Sequence, residues 1–180
     1  MPEVTPEQKK AVDGIRIFRA ADATALTEEQ MPMMGMDDSV IAGFTKVVEA
    51  GAAEGGGEQV QCLFRDEKPG GFSLCRAWFK SGFVLPRHSH DADCLYYVLG
   101  GEIHLGRKVL GKGDGFYVPA DAPYSYETGP EGAEVLEFRN APFFHILFTN
   151  NSEAHWDRVA NAYRERSEAW KEERVPPTER

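Results

Sequence analysis

Between Glu58 and Phe148 the chain is cut into short runs rich in aromatic and β-branched residues. They are Glu58 to Phe64, Phe72 to Phe79, Cys94 to Leu99, Glu102 to Leu105, Phe116 to Val118, Ala133 to Arg139 and Phe143 to Phe148. The strings between them include DEKPGG, KSG, GG, GKGDG, ADAP and ETGPEG, all built from residues that favour turns. Many short strands with Gly, Pro and Asp punctuation predict an antiparallel sandwich or barrel, and the absence of βαβ alternation disfavours a parallel sheet. The expected fold class is all-β.

The flanks differ in character. Residues 1–14 read as a flexible arm, and Ile15 to Arg19 alternates apolar with basic residues, as a short half-buried strand does. From Ser39 to Ala50 the apolar positions Val40, Ile41, Phe44, Val47 and Val48 recur at helical spacing, with Asp37 and Asp38 as capping candidates. GAAEGGG then ends that helix. The methionines at 31, 33, 34 and 36 suit gap filling or the rim of a pocket better than a soft metal cluster. A second helix is expected over 151–173, with Trp156, Val159, Ala160 and Tyr163 on one face behind the cap Ser152, and 174–180 as a tail. One domain accommodates all of this, with the barrel and its N-terminal extension over 15–150.

Charge narrows the partners. Twenty Lys and Arg against 29 Asp and Glu give a net charge of -9, which repels a phosphate backbone or an anionic lipid surface. No apolar run is long enough for a transmembrane helix, and the polar start MPEVTPEQKK is no signal peptide, so a soluble cytoplasmic protein is expected. Three cysteines without CxxC spacing, Cys62, Cys75 and Cys94, imply neither a disulfide framework nor a zinc knuckle.

The chemistry concentrates in GFVLPRHSHDADC, residues 82–94. His88 and His90 stand at i and i+2, so on an extended strand they share a face. Two imidazoles aimed at one point are the beginning of a metal site.

Gly82, five residues, His88-x-His90, three residues, Cys94, six residues and Gly101 resemble the first motif of the cupin superfamily, with cysteine where glutamate is usual. Gly113, five residues, Pro119, then Asp121, Tyr124 and Thr128 resemble the second motif, with the last three slots altered from glycine, histidine and asparagine. The close likeness covers about residues 76–127. It implies a jelly-roll β-barrel whose mouth holds a metal on three histidines and a glutamate. This chain keeps His88 and His90 of that set, while the other two slots hold Cys94 and Tyr124. It also implies a homodimer through sheet faces, with Tyr97 and Leu99 outward if Cys94, Tyr96 and Val98 face inward.

The remaining ligand positions stay open among Cys94, Tyr124, His104, His145 and the carboxylates Asp93, Glu102, Glu134 and Glu137. Tyr124, Tyr126 and Tyr96 are the candidates for hydrogen-bond donor or general acid. Three readings follow. The first is an enzyme that holds a divalent metal, iron first and zinc, nickel or manganese as alternatives, and oxidises a small organic molecule, most simply as a dioxygenase. The second is a metal-free isomerase or epimerase that moves protons between a histidine and a tyrosine. The third is a non-catalytic barrel that binds a small ligand.

Overall fold

A computed structural model describes residues 14–54, 56–149 and 151–180, so the expected arm lies outside the described residues except for Gly14. In chain order the elements are β1 (Thr24–Ala25), β2 (Met33–Met34), α1 (Asp38–Glu49), β3 (Glu58–Arg65), β4 (Ser73–Phe79) and β5 (His88–Ser89). They continue as β6 (Cys94–Leu105), β7 (Lys108–Leu110), β8 (Gly115–Val118), β9 (Glu127–Arg139), β10 (Ile146–Phe148) and α2 (Glu153–Glu172).

The larger sheet has the order β1-β3-β4-β9-β6-β7, with β8 also paired to β6, and the smaller sheet is β2-β10-β5. Strand neighbours are antiparallel except β2 with β10. An isolated bridge between His88 and Tyr124 carries the smaller sheet across to the segment before β9. The chain folds as a mostly antiparallel two-sheet β-barrel with a helix near each end, the all-β architecture that the strand pattern predicts.

Alternation along β6 sets the inside of the barrel. Cys94, Tyr96 and Val98 are buried while Leu95 and Tyr97 stand outside. Phe79, Phe83, Val98, Ile103, Tyr126 and Val135 fill the interior beside them. The helices close one side of the barrel. Asp37 caps α1 by accepting from the backbone N–H groups of Ser39 and Val40, and Ser152 caps α2 by accepting from that of His155. Trp156, Val159, Ala160 and Tyr163 are buried along α2 as its spacing predicts, and Trp170 is locked by donating from its indole N–H to the Ser81 carbonyl at 2.8 Å.

Three local expectations change. The strings GG and ETGPEG do not break the ladder, because β6 and β9 stay paired through register shifts between Val98 and Gly100 and between Gly101 and Ile103. Gly101 and Gly132 take positive φ there and approach so closely that a side chain on Gly101 would overlap the Gly132 carbonyl. Ile15 to Arg19 is an exposed segment rather than a strand, since Thr24 and Ala25 occupy the edge opposite Cys62 and Gln61. The tail at 174–180 is tied down: Thr178 donates its hydroxyl to buried Glu134, which also faces Arg76, and Arg180 pairs with Glu131 and Glu173. Among the described residues no helix is long and apolar enough to cross a membrane.

Candidate active site

The bridge that joins the sheets also builds the site. The N–H of His88 donates to the Tyr124 carbonyl at 3.1 Å and that of Tyr124 to the His88 carbonyl at 2.9 Å. Directly opposed residues project to one face, and here the phenol oxygen of Tyr124 lies 2.9 Å from Nε2 of His88. The other ring nitrogen, Nδ1, is 2.8 Å from the Pro86 carbonyl. A carbonyl only accepts, so Nδ1 carries the hydrogen, Nε2 offers a lone pair, and Tyr124 is the donor to it. His90 is held the same way. Its Nδ1 donates to the His145 carbonyl at 2.6 Å, which leaves Nε2 to accept from Nη2 of Arg139 at 3.2 Å.

Arg139 ends β9, two residues after Glu137 and on the same inward face. Its Nη1 donates to Glu137 at 2.7 Å, and Nη2 donates to the Tyr96 hydroxyl at 3.2 Å as well as to His90. The guanidinium also lies over the Phe144 ring, 4.2 Å from its centre. Tyr96 and Tyr124 share a hydrogen bond between their hydroxyls. Since Tyr124 donates to His88 and Tyr96 receives from Arg139, the direction is fixed: Arg139 to Tyr96, Tyr96 to Tyr124, Tyr124 to His88. Among the described residues, Nε of Arg139 is buried with no partner, a spare donor of the kind that a bound molecule satisfies.

Burial sets the protonation states. It lowers His88 to about 4 and His90 to about 2, with the positive charge of Arg139 pushing both the same way, so both rings are neutral near neutral pH. The Tyr96 and Tyr124 phenols are raised, again chiefly by burial. Glu58, which also borders the site and keeps solvent-accessible surface, is raised to about 7 by loss of hydration and then by repulsion from Glu137.

A cavity of about 90 Å³ opens among His88, His90, Tyr124, Tyr126, Glu137 and Arg139. Larger grooves lie elsewhere, one of about 370 Å³ beside Lys46 and Asp157 and one of about 480 Å³ beside Arg87 and His104. Neither brings together so many buried, mutually bonded polar groups. The barrel cavity is therefore the candidate site.

The structure brings His88, His90, Tyr96 and Tyr124 together, and Tyr126 lines the same space. Cys94 is buried opposite Arg139 in the ladder, and burial pushes its thiol up to about 12, so it is a neutral thiol. His104 pairs instead with Glu102 at 2.9 Å, away from the cavity. His145 contributes its backbone carbonyl, and its ring faces Asp91. Asp93 serves a loop, accepting from the Ala120 N–H and from Asn140, and Glu134 faces the tail. Of the four candidate carboxylates, Glu137 reaches the cavity. Sequence reasoning missed Arg139, although Val135, Glu137 and Arg139 alternate on one face at the end of a predicted strand.

A divalent ion fits this arrangement poorly. Among the described residues no group of three His, Cys, Asp or Glu side chains is placed to hold one. The lone pair of His88 is engaged by Tyr124 and that of His90 by a guanidinium, beside which a second cation would be repelled.

No family model and no curated protein matches the sequence. Solved structures do match. An RmlC-like cupin from Shewanella frigidimarina is 28% identical over 49% of this chain and 78% of that one, with a TM-score of 0.43. KdgF from Halomonas sp. is 20% identical over 47% of this chain and 79% of its own, with a TM-score of 0.41. Salicylate 1,2-dioxygenase from Pseudoaminobacter salicylatoxidans is 15% identical over 57% of this chain and 32% of its own, with a TM-score of 0.42.

Proposed function

We propose that the barrel is a metal-independent enzyme that moves a proton on a small organic molecule, an isomerase or epimerase in class, with Tyr124 and His88 as the working pair. One observation carries the reading: the ordered chain of donors from Arg139 through Tyr96 and Tyr124 to the lone pair of His88. A phenol raised by burial is a weak base by itself. Tyr124 becomes one when its own proton passes to His88 Nε2 as its oxygen takes a proton from a carbon acid in the cavity. Tyr96 and Arg139 then stabilise the negative charge that develops, in a site where few waters screen them.

The unpartnered Nε of Arg139 favours a substrate with a carboxylate or carbonyl oxygen. Tyr126, whose ring centre is 6.3 Å from that of Tyr124, is the donor that returns a proton from another position around the same cavity. His90 orients the guanidinium by accepting from it.

The dioxygenase reading keeps one observation in its favour, since both Nε2 atoms are turned inward by carbonyls behind the rings, as second partners of metal-bound histidines turn them. It requires Arg139 to withdraw. The test uses chelator-treated protein in deuterium oxide with a panel of small 2-oxo and 2-hydroxy acids, followed by proton NMR. Loss of the signal of an acidic C–H is expected with the wild type and not with Tyr124→Phe. Stoichiometric metal in the protein as purified, lost in His88→Ala and needed for turnover, overturns the proposal in favour of the metal enzyme. Absence of both metal and exchange overturns it in favour of a binding module.

A further inference from the structure

Cys62 and Cys75 face each other as paired residues of β3 and β4. Their row continues across the sheet: Thr24, Cys62, Cys75, Glu137, Tyr96 and Phe116 are successive cross-strand partners. Paired residues share a face, so the two thiols lie on the inner side of the sheet, next in line to a carboxylate and a phenol of the cavity. Cys75 is fully buried, whereas Cys62 keeps some exposure.

The surroundings of the pair are unequal. Cys62 Sγ lies 3.6 Å from the Phe64 carbonyl, to which its S–H donates, and 3.7 Å from Nη2 of Arg65; among the described residues, Nε and Nη1 of that guanidinium are buried without a partner. The neighbouring Cys75 thiol, and after it the Arg65 guanidinium, draw the Cys62 thiol below its ordinary range, while Cys62 and burial push Cys75 up. Of the two sulfurs, Cys62 is the one drawn toward the thiolate, and Cys75 stands opposite it across the strand pair as the buried thiol.

We infer that Cys62 and Cys75 form a redox-active dithiol that reduces hydroperoxides and closes to an intrachain disulfide. The thiolate of Cys62 attacks one peroxide oxygen, the O–O bond breaks, and the departing oxygen leaves as water or alcohol after taking a proton. The free donors of Arg65 stabilise that departing oxygen. Cys62 is then a sulfenic acid. The sulfur of Cys75 attacks it, the S–O bond breaks as the S–S bond forms, and the thiol proton leaves with the hydroxyl as water. Two thiols lose two electrons and the peroxide gains them. A small thiol such as glutathione returns the pair to the reduced form by exchange. This inference is independent of the proton-transfer reading.

The test treats the full chain at neutral pH with one equivalent of hydrogen peroxide, then alkylates it and maps peptides by mass spectrometry. The alkylatable cysteines are expected to fall from three to one, leaving Cys94, with a linked peptide pair lighter by two hydrogens. In Cys75→Ala the reaction stops at Cys62 sulfenic acid, trapped by dimedone. In Cys62→Ser both remaining thiols stay alkylatable. Circular dichroism verifies the fold of each variant. Oxidation confined to Cys94, disulfides formed only between chains, or a pair that remains alkylatable overturns the inference.

Discussion

Nη2 of Arg139 lies 3.2 Å from Nε2 of His90, so the barrel carries a fixed cation against the lone pair that a metal ion would need. Replacing that cation by Arg139→Met frees the lone pair of His90 beside a cavity that His88 and Glu137 also border, and removes the repulsion against a divalent ion there. The variant is expected to bind zinc at least about tenfold more tightly than the wild type, or about 1.4 kcal/mol. Calorimetric titration on chelator-treated protein measures this. Equal affinity in the two proteins would show that the guanidinium does not guard the site.

Glu137 is the counter-charge that makes a buried guanidinium tolerable. Its Glu137→Gln variant keeps the shape and removes the charge, and leaving Arg139 unpaired in the barrel costs about 3 to 5 kcal/mol. Urea unfolding should show that loss. Combining Glu137→Leu with Arg139→Met removes both charges and is expected to recover most of it; a double variant as unstable as the single one would place the effect in packing rather than charge.

Tyr124→Phe removes one oxygen and two hydrogen bonds. The predicted loss in proton exchange is about 10²- to 10⁴-fold. Stability falls by only about 1 to 3 kcal/mol, the cost of leaving Nε2 of His88 buried without a donor. Reading both quantities on one preparation separates chemistry from folding: a variant that loses stability and keeps full exchange removes Tyr124 from the mechanism.

How much of this was legible in the sequence differs by level. The strands were, because alternation and turn residues report directly on a half-buried sheet; β3, β4, β6 and β8 start or end within a residue or two of their predicted bounds except where glycine bulges replaced turns. GG and ETGPEG misled because glycine serves a bend inside a ladder as well as a break between ladders, and the partner strand decides which. His88, His90, Tyr96 and Tyr124 were found from motif spacing and alternation. Arg139 was not, since an arginine ending a strand normally reaches solvent, and only the fold shows Glu137, Tyr96 and His90 converging on it. Likewise Cys62 and Cys75 are thirteen positions apart in sequence, and only the register of β3 on β4 makes them a pair.

The acid limb of stability tests the neutral histidine. His88 is lowered to about 4 in the folded chain, against about 6.5 when unfolded, so between those values the unfolded state binds more protons and stability falls as pH falls. The contribution is fully present above about pH 6.5. Glu58, raised to about 7, acts in the opposite sense, since its proton is held more tightly in the folded state. The measurement is therefore a difference. Relative to His88→Gln, the wild type should lose about 2 kcal/mol between pH 7 and pH 5, read by urea unfolding at each pH. A constant difference across that window would mean that His88 titrates normally in the fold.

The outer face of the barrel supplies the last prediction. Phe138, Leu95 and Tyr117 are consecutive cross-strand partners on β9, β6 and β8, so their outward side chains form one apolar row, with Tyr97 beside it. Leu95 is 54% exposed and Tyr117 58%, and Phe72 packs against Phe138 with ring centres 5.0 Å apart, extending the row along the sheet. The sequence expected Tyr97 and Leu99 here; Tyr97 is exposed, whereas Leu99 is half-buried. Apolar side chains joined in a row, rather than scattered singly, mark a surface meant to be covered. With a net charge of -9 the chain repels its own copies at long range, so association has to be driven by such a patch. The prediction is a homodimer in which two copies meet face to face through this patch, each presenting the same row to the other. Light scattering should give twice the chain mass for the wild type. Leu95→Lys puts two like charges at the centre of the contact and is expected to give monomer with the barrel still folded, because residue 95 faces outward. A wild type that remains monomeric at high concentration removes the dimer, and a dimer that survives Leu95→Lys moves the interface to another face.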